Sequence, residues 1–273
     1  MKRRFPAQFR PAAITAIGLI LASPALSIGQ APNTSSSSAS VTPVLVELFT
    51  SEGCSDCPPA DNLLARLDRE QPIPGVHVIV LSEHVTYWNH DGWTDPFSMT
   101  EMDERQNDYV VRFHLQSSYT PQAVVDGAEQ MVGSNGPQLV RAVEHEASLP
   151  GKSLAITAAN MDKGSVHFSL QAPDGKGDHL YAVVAQDVAR SEVPSGENAG
   201  RTLHHVAVVR EIRALNSKDA DGRQISISTG SVDRHPGSGA VRLVVFLQDP
   251  RSGRVEAAAE QPLSAEQTLS RVR

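Results

Sequence analysis

The only two cysteines of the 273-residue chain, Cys54 and Cys57, are three positions apart. Two thiols at this spacing can form a disulfide, exchange it with another thiol, or bind a soft metal ion. An apolar run at 44–49 precedes them, and a stretch with helical spacing at 58–67 follows. The pair is therefore predicted to lie where a strand ends and a helix begins, a position that lowers the pKa of a thiol.

Redox chemistry is the favoured interpretation of this pair. A structural zinc site would need a second pair of Cys or His ligands at matching spacing, and the chain has no further cysteine. A disulfide that closes so short a loop contributes little to stability. We predict that Cys54 is the exposed attacking thiol, that Cys57 resolves the mixed disulfide, and that this disulfide acts without a bound cofactor.

Two alternatives stay open. In the first, Cys54 and Cys57 bind copper or zinc together with His84, His90 or both, because thiolates and imidazoles suit Cu(I) and Zn(II). In the second, the protein is a non-enzymatic binding module of the cell envelope, and its disulfide has no remaining role.

The amino-terminal residues have the pattern of a secretory signal. Four basic residues, Lys2, Arg3, Arg4 and Arg10, precede an apolar run at 12–26 that is too short to span a bilayer. We expect a signal peptide at 1–31 and a flexible leader at 32–42, so the mature protein is predicted to be periplasmic or secreted, with no membrane span. The 24 basic residues less these four leave 20 against 31 acidic ones, a net charge of −11, which argues against a nucleic-acid partner.

The remaining chain changes character near residue 150. Residues 43–150 alternate in the order βαβαββα, with strands at 44–49, 76–81, 122–126 and 129–132 and helices at 61–70, 98–115 and 137–147. Residues 151–273 contain six or seven short alternating runs separated by turn signals, which is typical of a β-sandwich. We therefore predict an α/β domain followed by an all-β sandwich domain.

The first of these domains resembles the thioredoxin-like superfamily, and nearly the whole mature chain resembles an exported bacterial family catalogued as domain of unknown function 1223. Five stretches carry the second resemblance: Glu47 to Asp61, His84 to Trp88, Gly92 to Phe97, Tyr119 to Gln122 and Gly196 to Arg201. The resemblance implies a thioredoxin-like fold for residues 43–150. The family name states no activity.

The thioredoxin-like resemblance gives roles to residues outside the cysteine motif. Thr120 and Pro121 are expected to form a cis-proline loop that holds an extended substrate beside Cys54. Glu47, an acid within an apolar strand, is expected to lie buried beneath Cys57 and to carry its proton. Alternatively, Glu47 pairs with an arginine or faces the second domain.

Aromatic residues are expected to form the substrate-binding wall. Trp88 and Trp93 follow the second strand, at the sheet edge that also carries Cys54, and Tyr119 precedes the proline loop. Alternatively, the aromatic side chains fill the seam between the two domains.

In the second domain, residues 196–201 are predicted to be part of a long hairpin connection packed against the first domain. The adjacent His204 and His205 should point to opposite faces of a strand, so they cannot both serve one site.

Together these patterns predict an exported thiol-disulfide oxidoreductase. Its expected partners are thiols or disulfides of envelope proteins and a redox partner that restores the cysteine pair.

Overall fold

The computed structural model describes residues 41–90, 92–162, 164–171, 178–215, 222–229 and 240–264. The predicted signal at 1–31 and nearly all of the leader at 32–42 lie outside these residues. No described helix is long and apolar enough to cross a membrane. In chain order the elements are β1 (Thr42–Thr50), α1 (Pro58–Glu70), β2 (Val76–His84), α2 (Thr100–Arg112), β3 (Gln122–Val125), β4 (Glu129–Val132), α3 (Gly136–Ala147), β5 (Ala155–Asp162), β6 (Ser165–Gln171), β7 (His179–Glu192), β8 (Thr202–Leu215), β9 (Gln224–Ser228), β10 (Ala240–Gln248) and β11 (Val255–Ser264).

One mixed sheet of eight strands joins both halves of the chain. Its order is β11-β10-β7-β8-β2-β1-β3-β4, and a second sheet of three strands has the order β5-β6-β9. The two halves meet where β8 pairs with β2 in parallel, at Ser82 and Val208. The antiparallel strands of the second half therefore extend the sheet of the first half, and the small sheet packs against this extension.

The predicted fold class, a thioredoxin-like α/β domain followed by an all-β sandwich, is therefore wrong. The order βαβαββα is present in the first half, but the described chain is mostly β and its main sheet runs through both halves. In β10, Leu243 and Val245 pack towards the small sheet, whereas Val244 and Phe246 pack towards the core that contains β1 and β2. A strand covered on both faces is apolar throughout, so its pattern does not show which sheet it joins.

Helices α1 and α3 lie on one face of the main sheet, and α2 lies on the other. Leu48 of β1 lies next to Gly133 before α3, beside Ala60 of α1. The ring of Phe49 instead meets Tyr109 of α2, with 5.9 Å between the centroids. Because successive side chains of a strand point to opposite faces, even-numbered residues of β1 face α1 and odd-numbered ones face α2.

On the α2 face, buried charges gather around Arg105. Its guanidinium pairs with Glu47, and its Nε lies 3.7 Å from Glu83 Oε1. Tyr109 donates a hydrogen bond of 2.5 Å to Glu47. Burial, with the charge of Glu47 next, raises the pKa of Glu83 well above its ordinary value. The folded protein therefore retains the Glu83 proton to higher pH than the unfolded chain does.

We expect Glu83→Gln to stabilise the protein increasingly as the pH rises. Between the unfolded pKa of about 4.3 and the higher folded pKa, the folded state binds more protons, so the wild type loses up to about 1.4 kcal/mol of unfolding free energy per pH unit. Glutamine stays neutral and removes this loss. Urea unfolding at pH 5, 6.5 and 8 measures the difference, with Glu104→Gln as a control because that side chain is exposed. A difference that is constant across pH would contradict the expectation.

Candidate functional site

Cys54 and Cys57 form a disulfide at the beginning of α1, which confirms the predicted place of the motif. Cys57 is the N-cap residue, and its carbonyl accepts the N–H groups of Ala60 and Asp61 at 2.9 and 3.1 Å. Proline is tolerated in the first turn of α1 because the N–H groups there lack intrahelical acceptors. Cys54 is 1% exposed and Cys57 is 0% exposed, so the prediction that Cys54 is exposed is wrong for the disulfide form.

Residues 193–201, which connect β7 to β8, pack against the backbone of the cysteine motif, and we call them the cover loop. The buried Asn198 donates from Nδ2 to the carbonyls of Glu52 and Cys54, at 2.8 and 2.9 Å. Arg201 donates to Asn198 Oδ1 at 2.7 Å and so orients the amide. The predicted packing of residues 196–201 against the first half of the chain is confirmed, and the contact is made on the cysteine motif itself.

A second contact of the cover loop places a carboxylate beside the motif. Glu197 accepts the backbone N–H of Ser55 at 2.9 Å. Hydrogen bonds from Ser55 lower the pKa of Glu197 below its ordinary value. The Glu197 carboxylate of the cover loop therefore binds the backbone N–H of Ser55, a residue between the two cysteines.

Both tryptophans contact the motif region. Trp88 donates from Nε1 to Thr120 Oγ1 at 2.8 Å, and a Cβ at Gly53 would lie only 2.9 Å from Trp88 Cβ. Trp93 donates to Glu52 Oε2 at 2.9 Å. Glycine at position 53 thus lets the Cβ and the backbone of Trp88 approach the chain directly before Cys54. The structure brings Trp88 and Trp93 to the cysteine motif, and their role in substrate binding stays a prediction.

The proline loop lies next to this region. The peptide bond between Thr120 and Pro121 is cis, as predicted. Pro121 and Ala60 of α1 both lie close to Gly133, which places the loop beside the first turns of α1. Tyr119 hydrogen-bonds through its hydroxyl to Gln130 of β4 at 2.6 Å, so its hydroxyl is directed to the sheet edge.

Glu47 lies on the opposite face of the sheet from the helix that carries Cys57. Its carboxylate pairs with Arg105 and Tyr109 on the α2 side. Thr50, three residues further along β1, faces α1, where its hydroxyl donates to Asp61 at 2.9 Å. The arginine-paired alternative is what the structure shows, and the geometry for a proton carrier beneath Cys57 is absent at Glu47.

Near the first turn of α1, buried ionisable side chains form a group that we call the buried polar cluster: Glu52, Asp61, His84, Asp95 and His205. His84 Nδ1 lies 2.7 Å from Asp95 Oδ2, and despite burial the His84 charge lowers the pKa of Asp95. His205 Nε2 lies 3.2 Å from Glu52 Oε1, and its Nδ1 lies 3.7 Å from Asp61 Oδ2. The two imidazoles are in contact, with 4.6 Å between their centroids.

Most residues of the buried polar cluster were not predicted as site residues from the sequence. Glu52 and Asp61 lie within the cysteine motif but received no role, and Asn198 lies within the glycine-flanked stretch at 196–201. The prediction that His204 and His205 point to opposite faces is confirmed, because His204 is exposed and His205 is buried. The buried one of the two contributes to the site.

The residues of the metal alternative occupy different environments. His84 is buried and held by Asp95, His90 is exposed, and the two sulfurs are bonded to each other. Within the described ranges, the one group of three or more ligand-type side chains close enough to share an ion is Glu129, His145 and Glu146. The geometry therefore gives the predicted copper or zinc set no support.

Comparison with known proteins identifies a family and a similar fold. Residues 45–248 match the family model described as Protein of unknown function (DUF1223). A structural-genomics crystal structure of a protein from Agrobacterium tumefaciens is 25% identical, with a TM-score of 0.60, and the match covers 81% of this chain and 93% of that one. HBP35 of Porphyromonas gingivalis is 15% identical, with a TM-score of 0.50 and coverage of 81% and 75%, a likeness of fold alone. No curated protein sequence matches the chain.

Proposed function

The chain belongs to the DUF1223 family, whose description names no activity, and we propose that it is a thiol-disulfide oxidoreductase acting through Cys54 and Cys57. The observation that carries the proposal is the disulfide itself. It joins residues only three positions apart, so loop closure gives it little stabilising effect. Its place at a helix N-terminus suits thiolate chemistry, because the unpaired backbone N–H groups there stabilise the thiolate.

In the proposed reaction, reduced Cys54 attacks a substrate disulfide. A bond forms between Cys54 Sγ and one substrate sulfur, and the other substrate sulfur leaves as a thiolate. Cys57 then attacks Cys54 Sγ, which restores the protein disulfide and releases the second substrate thiolate. The two cysteine thiols are oxidised and the substrate disulfide is reduced to two thiols, and the reverse sequence oxidises a substrate. Cys54 is given the first step because it lies in the turn before α1, where movement of the cover loop would uncover it, whereas Cys57 is fixed as the N-cap of α1.

We also propose that the protein works in the cell envelope on other proteins. The signal pattern at 1–31 supports export. Disulfides form in the proteins of oxidising compartments, where an exported oxidoreductase would find its substrates. Trp88 and Trp93 supply aromatic surface next to the motif, which suits an extended polypeptide more than a small thiol.

The test is disulfide exchange by the purified protein in both directions. Reduced ribonuclease A serves as the substrate for oxidation, and insulin with dithiothreitol serves as the substrate for reduction. We expect the wild type to accelerate at least one of the two reactions by about tenfold or more. The double variant Cys54→Ser/Cys57→Ser should match buffer alone while keeping the circular dichroism spectrum of the folded protein. A wild type no faster than this variant in both assays would overturn the proposal in favour of a binding module.

A further inference from the structure

Asp61 and His205 form a buried pair whose facing atoms have no other partner. Asp61 Oδ2 and His205 Nδ1 lie 3.7 Å apart, and neither makes a hydrogen bond within the described part of the chain. The other polar atom of each side chain has a hydrogen-bond partner. Asp61 Oδ1 accepts from the Thr50 hydroxyl, and His205 Nε2 lies within hydrogen-bond distance of Glu52 Oε1. A buried polar atom without a partner costs stability, and a catalytic role is one explanation for such an atom.

The position of Asp61 relative to Cys57 suggests that function. Cys57 has helical backbone angles, and the N–H of Asp61 donates to the carbonyl of Cys57 at 3.1 Å. Residues four apart on a helix lie above one another, with Cβ atoms about 5–6 Å apart. The Asp61 side chain therefore lies on the same helix face as the Cys57 side chain, one turn away, a spacing that one hydrogen bond or one water molecule can bridge. Unlike Glu47, it lies on the same face of the sheet as the cysteine pair.

We propose that Asp61, supported by His205, accepts the proton of the Cys57 thiol as Cys57 attacks the mixed disulfide on Cys54. This inference rests on the proposed oxidoreductase function. The S–H bond of Cys57 breaks and its proton moves to Asp61. The sulfur electron pair forms the bond to Cys54 Sγ, and the bond between Cys54 and the substrate sulfur breaks, with its electron pair leaving on the substrate thiolate.

The electrostatic surroundings agree with a group that exchanges a proton. Burial raises the pKa of Asp61, and the neighbouring His205 partly offsets this effect. Although burial acts against it, the hydrogen bond to Glu52 and the charge of Asp61 raise the pKa of His205. The charged groups that face the pair from the other elements are Glu52 before the motif, His84 of β2 and Asp95 in the following loop, with Arg210 of β8 acting on Asp95.

The experiment separates the two attacks with Ellman's reagent. The reduced protein is mixed with the reagent in excess, and release of the yellow thiolate is followed by stopped flow from pH 5 to 9. The first phase reports attack by Cys54 on the reagent, and the second reports attack by Cys57 on the mixed disulfide. For Asp61→Asn we expect a second phase at least tenfold slower at pH 7, rising with pH as the thiol itself ionises, and a first phase changed less than about threefold. Glu70→Gln, which removes an exposed carboxylate from the same helix, should leave both phases unchanged.

The outcomes distinguish the inference from the function on which it rests. A wild type without a second phase would overturn the oxidoreductase proposal and this inference together. A wild type with two phases and an Asp61→Asn variant with an equal or faster second phase would overturn this inference alone, since loss of a nearby negative charge favours the thiolate. If Asp61→Asn does not fold, His205→Gln provides the test. Loss of the imidazolium should move the pH midpoint of the second phase upwards, and an unmoved midpoint would overturn the inference.

Discussion

Cys57→Ser is expected to accumulate covalent complexes with envelope proteins, whereas Cys54→Ser should trap almost none. A mixed disulfide lasts until a second thiol attacks it, and Cys57 supplies that thiol. Both cysteines are buried in the disulfide form, but Cys57 is fixed as the N-cap of α1, whereas Cys54 lies in the turn before it, against the cover loop. We therefore expect movement of the cover loop to expose Cys54 to a protein substrate first. We expect at least tenfold more complex in the Cys57→Ser strain.

Non-reducing gels of cells that express each variant measure the trapped complexes, and mass spectrometry of the bands identifies the substrates. Only complexes that disappear when the sample is reduced are scored as mixed disulfides. The double variant Cys54→Ser/Cys57→Ser is the control and should show none. Equal trapping by the two single variants would show that the assigned roles are wrong. Metal binding would make the two single substitutions about equally damaging to function, with no trapped complexes.

Asn198→Ala is expected to accelerate reduction of the disulfide by dithiothreitol by about 10- to 100-fold. The substitution removes the side-chain donor of the Glu52 carbonyl and leaves the Cys54 carbonyl with only the Cys57 N–H, 3.3 Å away. An unsatisfied buried group costs about 1–3 kcal/mol. A loss of about 2 kcal/mol from the closed arrangement raises the population of the open one about 30-fold. Reduction through this open arrangement speeds up in proportion.

Alkylation of the freed thiols at timed intervals, followed by mass measurement, gives the rate. Two further variants serve as comparisons for the rate of reduction. Arg201→Gln removes only the bond that orients Asn198 and should give a smaller acceleration. Glu192→Gln changes an exposed residue on β7 and should match the wild type. If Asn198→Ala is reduced at the wild-type rate, the cover loop does not control access to the disulfide.

The elements of the first half follow from the sequence because each has a strong local pattern. The strand predicted at 129–132 is observed with the same bounds, and the helix predicted at 137–147 begins one residue earlier. The joining of both halves into one sheet was missed, because it depends on the parallel pairing of β8 with β2. That contact links residues far apart in the chain, and neither strand carries a local signal for it.

Some residues of the candidate site follow from local sequence patterns, and others do not. The cysteine pair follows from a short motif, and the cis Thr120–Pro121 bond follows from the thioredoxin-like resemblance. The assignment of Glu47 failed because the choice between the two faces of β1 depends on where α1 and α2 pack. His205 and Asn198 contact residues more than 140 positions away, so no local spacing could associate them with Cys54.

The cover loop follows Cys54 in the chain by a long interval, since Asn198 lies 144 positions after it. A ribosome that adds about 5–20 residues per second takes about 7–30 s over that distance. For this time the two cysteines exist while the segment that will shield them has not been made. Oxidant present during synthesis therefore meets an open cysteine pair, whereas the same oxidant added to the finished protein must wait for the loop to move aside.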